Sequence, residues 1–367
     1  MKEEHSMIKY RKTIENLEPY KPGKPISEVK RELGLSDVVK LASNENPLGC
    51  SPRAVKAIVD WTNDAALYPD GNCTELRNAL ASKFNLSPSQ FLFGAGTDQI
   101  LEIIAQTYIN PGDETIMGWP SFSRYEAVTR IMDGIIIKLP LTDDYRLDLD
   151  AFLDAINEKT RIIWVCNPNN PTGTIITEQE QREFLKNVPE NILVVLDEAY
   201  YEYVQNSNYP RSVELLNEYD NIIVLRTFSK IYGLAGLRVG YAISNENIIA
   251  CLNRVRGPFN VNAAAQAAAA ASLNDQEFVQ DSIKINQEGK QYLYRAFKDM
   301  GLEYIPANGN FIMVNVEKDS LQVFKDLLLK GVIVRSGDIF DMDNWLRITI
   351  GTPEQNTVLI NALKSVL

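Results

Sequence analysis

Three polar clusters hold the groups in this chain that can do chemistry. Lys230 closes the run Arg226-Thr227-Phe228-Ser229-Lys230, with Arg238 shortly beyond it. Asp197 opens Asp197-Glu198-Ala199-Tyr200, and Asn170 sits inside Asn167-Pro168-Asn169-Asn170-Pro171-Thr172-Gly173. A lysine amine can condense with an aldehyde cofactor when its surroundings lower its pKa. A guanidinium with nearby hydroxyls suits an anion. The one histidine, His5, lies near the start of the chain in a charged stretch, which argues against Ser-His-Asp triads and histidine-ligated zinc. Cys50, Cys73, Cys166 and Cys251 are far apart and form no C-x-x-C pair, so a zinc ribbon, a thioredoxin-type motif and a disulfide scaffold are not indicated.

Each cluster follows a short, nearly continuous apolar run, at 161–166, 192–196 and 222–225. Such runs predict strands buried on both faces. Ligands of open α/β sheets sit beyond the carboxyl ends of the strands, which makes the three clusters candidates for one site. Upstream, Phe91-Leu92-Phe93 leads into Gly94-Ala95-Gly96-Thr97-Asp98, which opens a helix through about residue 109. The amides of Thr97 and Asp98 can then point at an anion.

From about 51 to 262 helical patterns alternate with these runs, which predicts an α/β fold with a mostly parallel sheet covered by helices. The alanine-rich stretch 263–271, broken only by Gln266, predicts a closely packed helix, and an amphipathic helix follows at 277–299. Strands at 311–316, 332–334 and 346–350, with helices at 321–329 and the end, predict a smaller α+β domain. The expected organisation is an arm over 1–46 joining the small domain and a partner subunit, a large domain over 47–275 and a small domain over 276–367.

The length of 367 residues, 45% of them hydrophobic, is enough for about two globular domains. Lys+Arg 37 against Asp+Glu 48 leaves a net charge of −11, which argues against a nucleic-acid surface and favours a small-molecule partner. No window approaches about 18 consecutive apolar residues and no basic start leads into an apolar run, so neither a membrane span nor a secretory signal is expected. The expected location is the cytoplasm.

Taken in order, the segments from Asn170 to Gly173, Asp197 to Tyr200 and Thr227 to Lys230, with Arg238, resemble the fold type I pyridoxal-phosphate-dependent aminotransferases. The resemblance implies that Lys230 forms the Schiff base with pyridoxal 5'-phosphate and moves the proton. Asp197 would pair with the ring nitrogen: at an effective dielectric of about 20, opposite charges about 4 Å apart interact by roughly 4 kcal/mol. That raises the ring's pKa by up to roughly three units. Asn170 and Tyr200 would donate to the phenolate oxygen, and Phe122 would stack on the ring. Thr227, Ser229 and Arg238, with the amides of Thr97 and Asp98, would bind the phosphate.

Over essentially the whole chain the sequence is most similar to the histidinol-phosphate aminotransferases. The similarity rests also on Leu17 to Gly23, Ser43 to Gly49, Tyr68-Pro69-Asp70-Gly71 and Leu346 to Gly351. It implies exchange of an amino group between glutamate/2-oxoglutarate and histidinol phosphate/imidazole acetol phosphate. It further implies a homodimer in which Tyr68 reaches the partner's cofactor phosphate and Tyr20 its substrate pocket. Arg347, assisted by Arg335, would bind the substrate's acidic group, and Asn44 would line the same pocket. The family usually has Asn, Ser and Glu where Ala95, Thr97 and Gln99 stand; Thr97 preserves the hydroxyl and the backbone amides, and the changes at Ala95 and Gln99 put the support of the phosphate loop in question. Three rival readings stay open: an aromatic amino-acid aminotransferase, a pyridoxal-phosphate decarboxylase of a phosphorylated amino acid, and a non-catalytic cofactor-binding or regulatory protein.

Overall fold

A computed structural model describes residues 11–15, 17 and 24–367. His5 and Tyr20 lie outside the described residues. The strands are β1 (Val39–Lys40), β2 (Phe91–Gly94), β3 (Glu114–Trp119), β4 (Ile135–Pro140), β5 (Thr160–Cys166), β6 (Leu193–Asp197), β7 (Ile222–Thr227), β8 (Gly240–Ser244), β9 (Tyr304–Ile305), β10 (Phe311–Asn315), β11 (Val332–Ile333), β12 (Arg335–Ser336) and β13 (Trp345–Thr349).

Seven strands form one sheet in the order β2-β8-β7-β6-β5-β3-β4. All its neighbours run parallel except β8, which is antiparallel to both β2 and β7. The apolar runs are buried on both faces, as their continuity requires. Because side chains alternate along a strand, Ile163, Val165, Val194, Leu196, Ile222 and Val224 enter one core. Ile162, Trp164, Leu193, Val195, Ile223 and Leu225 enter the core on the other face.

A second sheet, antiparallel in the order β12-β13-β10-β9, covers a separate core that includes Ile312, Val314, Leu346 and Ile348. The helix Gln276–Asp299 joins the two regions, with Val279 in the first core and Leu293 and Phe297 in the core under the antiparallel sheet.

The single strand expected at 332–334 is instead two short ones. Val332–Ile333 pairs in parallel with β1, where Leu41 N donates to Ile333 O at 2.7 Å, so these backbone groups are already taken. The chain changes partner at Val334, and Arg335–Ser336 joins the antiparallel sheet beside β13. That exchange brings the 39–44 segment alongside the sheet that carries the two arginines. Among the described residues no helix is long and apolar enough to cross a membrane. All four cysteines are free.

Candidate active site

The carboxyl ends of β5, β6 and β7 lie side by side, with Cys166 opposite Asp197 and Asp197 opposite Leu225. Beyond them opens a cavity of about 200 Å³. Asp197 and Lys230 both line it. Asp197 is only 3% exposed; its Oδ2 accepts from the Tyr125 hydroxyl at 2.8 Å and its Oδ1 from Ala199 N at 3.2 Å. Burial pushes this carboxyl up to about 6, and the Tyr125 bond opposes the rise. Among the described residues it makes no salt bridge. The Lys230 amine donates to Ser43 O at 3.1 Å. Burial first, then the positive charges of Arg347 and Arg238, lower it to about 8. The neutral, nucleophilic amine is therefore accessible closer to physiological pH.

Thr97, Asp98, Thr227, Ser229 and Arg238 line one end of the cavity. Gly96, at φ +75°, starts the helix Gly96–Tyr108, and a Cβ there would run into the Arg238 guanidinium. The positive φ favours a glycine here, and its missing side chain leaves room for the Arg238 guanidinium. Arg238 donates to Ser229 Oγ at 3.4 Å and to Asp98 Oδ2 at 3.2 Å, and Ser229 N donates to Thr227 Oγ1 at 3.0 Å. Amides in the first turn of a helix, a guanidinium and two hydroxyls form a donor set suited to phosphate. Gln99 Oε1 accepts from Ala95 N at 2.8 Å and from Asn260 Nδ2 at 2.8 Å, so a neutral amide supports this loop.

The facing wall comes from the antiparallel sheet and the 42–44 segment. Arg335 and Arg347 are directly opposed across β12 and β13, and both line the cavity. Two guanidiniums side by side facing the cavity suit an anion bound there. Arg347 Nη1 donates to Asn170 Oδ1 at 2.5 Å and Nη2 to Ala42 O at 2.8 Å. Its guanidinium carbon lies 5.6 Å from the Phe311 ring centre and 5.5 Å from that of Phe340. Asn44 Nδ2 donates to the Tyr200 hydroxyl at 2.9 Å, and Asn44 N donates to Thr349 Oγ1 at 2.9 Å. Burial holds the Tyr200 hydroxyl well above the usual phenol range, so it remains a proton donor.

The sequence-predicted residues Asn44, Phe122, Asn170 and Tyr200 also line the cavity. Tyr68 does not. It is 84% exposed and stacks on Phe259 with ring centres 4.9 Å apart, in a shallow surface hollow with Trp61 and Leu67. Sequence reasoning missed Ala42, Ser43, Cys166, Ala199 and Tyr125. Cys166 ends the 161–166 run and Ala199 lies between Asp197 and Tyr200, so the strand-end rule read over whole clusters would find both, whereas Ala42 and Ser43 precede Asn44 outside any run that predicts a strand. Nothing local marks Tyr125.

Strand ends that gather a lysine, a buried aspartate and an anion cradle beside a smaller antiparallel sheet define a class of group-transfer enzyme. The chain belongs to the aminotransferase class I and II family, whose model matches residues 36–363. It is 56% identical to the histidinol-phosphate aminotransferase of Caldicellulosiruptor saccharolyticus, over 98% of this chain and 100% of that protein. The histidinol-phosphate aminotransferase of Moorella thermoacetica is 54% identical, over 98% of this chain and 93% of its own. The crystal structure of the histidinol-phosphate aminotransferase of Sinorhizobium meliloti in complex with pyridoxal-5'-phosphate is similar at a TM-score of 0.90 and 26% identity. It covers 99% of this chain and 98% of that one.

Proposed function

We infer that this chain is a pyridoxal-phosphate-dependent histidinol-phosphate aminotransferase of histidine biosynthesis, exchanging the amino group between glutamate/2-oxoglutarate and histidinol phosphate/imidazole acetol phosphate. The observation that carries the reading is one cavity joining a softened lysine amine, a buried carboxylate without a cation partner among the described residues, an anion cradle and two opposed arginines. The donor set fits the cofactor: a buried carboxylate needs a cationic partner, and a protonated ring nitrogen is one.

Bound there, pyridoxal phosphate supplies an electron-withdrawing ring that stabilises the carbanion left when a substrate loses its α-proton. Lys230 would hold the cofactor through its Nζ, and the same amine, when free, would move the proton between the substrate α-carbon and the cofactor's exocyclic carbon. Asp197 keeps the ring nitrogen protonated. Arg238, Ser229 and Thr227, with the amides of Thr97 and Asp98, bind the phosphate. Asn170 and Tyr200 donate to the phenolate oxygen, and Phe122 covers the ring. Arg347, with Arg335 beside it, binds the glutamate carboxylate in one half-reaction and the histidinol phosphate group in the other, since a guanidinium fork suits both anions. Asn44 lines that same pocket.

The reading includes a cytoplasmic homodimer in which Tyr68 and Tyr20 serve the partner's site, with an arm over 1–46, a large domain over 47–275 and a small one over 276–367. The apolar side chains of Val55, Val59, Leu67, Tyr68 and Phe259, all exposed on the single chain, support a partner surface there. Steady-state turnover of histidinol phosphate, tyrosine and phenylalanine, each with 2-oxoglutarate, tests the substrate. We expect histidinol phosphate to have the highest kcat/KM; negligible turnover of it overturns the assignment. Sedimentation at assay concentration tests the assembly, and a fully active monomer counts against the role of Tyr68.

A further inference from the structure

The Asp197 carboxylate is held by a side chain that the chemistry above does not use. Tyr125 is wholly buried in the helix Arg124–Ile131, and its hydroxyl donates to Asp197 Oδ2 at 2.8 Å. Its ring is clamped. It lies parallel to the Trp164 indole, with centres 5.2 Å apart and planes 7° apart, and it meets Phe122 edge-on at 5.6 Å and 87°. Phe122 and Asp197 both line the cavity, so Tyr125 touches the proposed ring cover and the proposed ring-nitrogen partner at once.

We propose that Tyr125 is a positioning residue, which fixes the plane of the Asp197 carboxylate, keeps it ionised, and thereby sets how firmly the cofactor's ring nitrogen holds its proton. The proposal rests on the functional reading above. A buried carboxylate without hydrogen-bond donors takes up a proton instead of staying charged. Among the described residues Asp197 has two donors, the Ala199 amide and the Tyr125 hydroxyl, and the second belongs to a side chain.

Nearby groups act against the charge. Asp98, from the helix Gly96–Tyr108, and Glu198, next along the chain, push the Asp197 carboxyl in the same direction as burial does. Cys166 and Tyr200 also face it, and both are held in their neutral forms by burial. The Tyr125 hydroxyl itself is raised well above the phenol range by burial and by the Asp197 charge, so it remains a proton donor.

The test uses full-length, cofactor-free protein and pyridoxine 5'-phosphate, which keeps the ring nitrogen and phosphate but lacks the aldehyde. Binding is measured by calorimetry from pH 5 to 9 for wild type, Tyr125→Phe and Trp164→Phe. Tyr125→Phe keeps the ring and its stacking and removes only the donor. We expect its Kd near neutral pH to rise about tenfold, and the acidic limb of its binding profile to move up by about one pH unit. Trp164→Phe loosens the stack and keeps the donor, so its profile should stay with wild type even if its Tm falls.

Coincident profiles for Tyr125→Phe and wild type overturn the proposal, whatever happens to Tm, and so does an equal shift in Trp164→Phe. A wild-type protein that does not bind the probe at all overturns the functional reading, and the proposal falls with it.

Discussion

The cavity floor comes from strand ends locked into the middle of a seven-stranded sheet, whereas its arginine wall comes from the edge of a four-stranded one, the two-residue edge strand β12 and the strand β13 beside it. On the floor, Cys166, Asp197 and Thr227 close β5, β6 and β7, each packed from both faces. On the wall, β12 is two residues long, and named bridges tie the wall to the floor: Arg347 to Asn170, Asn44 to Tyr200, Asn308 to Gly173, and Trp119 Nε1 to Asp341 at 2.6 Å. The difference assigns the labour. On the proposed reading, the floor, packed from both faces, holds the groups that must be placed accurately for proton transfer, and the wall holds the charges that bind an anion.

The largest expected effect comes from the floor. Lys230→Ala should lower transamination by about 10³-fold or more and abolish any borohydride-reducible link to the cofactor, read by mass spectrometry after reduction. Retained covalent cofactor would break the assignment.

On the wall, Arg347→Ala should lower kcat/KM by roughly 10 to 100-fold for both glutamate and histidinol phosphate, mostly through KM. Loss confined to one of the two substrates would show that they do not share this wall.

Two buried titrations on the floor sharpen the contrast in cofactor-free protein. Asp197 is raised from 3.8 to about 6, so the folded state binds that proton more tightly. Its contribution to stability is full below about pH 4 and is lost as pH rises through 6. Lys230 is lowered from 10.5 to about 8, so its burial cost is present below about pH 8 and is relieved toward pH 10.5. Urea unfolding of wild type against Asp197→Asn should show wild type losing ground between pH 4 and 6; parallel curves would refute the burial argument.

The smallest effect belongs to a bridge. Asn308 donates to Gly173 O through Nδ2 at 3.2 Å and through its backbone N at 2.7 Å, and only the first is removed by Asn308→Ala. We expect a loss of about 1 kcal/mol in urea unfolding and a kcat/KM drop of a few-fold. A drop as large as that of Arg347→Ala would mean that the wall is held as tightly as the floor.

The floor was legible because each of its parts is contiguous: an apolar run gives the strand, and the polar residues that follow stand at its end. Asn170, Asp197, Tyr200 and Lys230 were found this way. The wall was legible only through family resemblance, since nothing around Arg335 or Arg347 marks them as facing a cavity. The strand expected at 332–334 shows why. Its composition predicts a strand, but which backbone it pairs with is decided by the 39–41 segment, far away in the chain. Ala95 and Gln99 are a second instance, because the departure from the family's pattern was visible while its consequence was not. The structure supplies the missing bond from Ala95 N to the Gln99 side chain.

Sequence alone determined the α/β class and which polar side chains stand at the strand ends that the proposed chemistry uses, because these follow from short-range periodicity and composition. Only the tertiary structure decided that Arg335 faces Arg347, that Lys230 meets the Ser43 carbonyl, and that Tyr125 holds Asp197. The last two pairings join residues far apart in sequence, the first depends on which strand the chain pairs with, and all are set by how two sheets and their helices fill one packed interior.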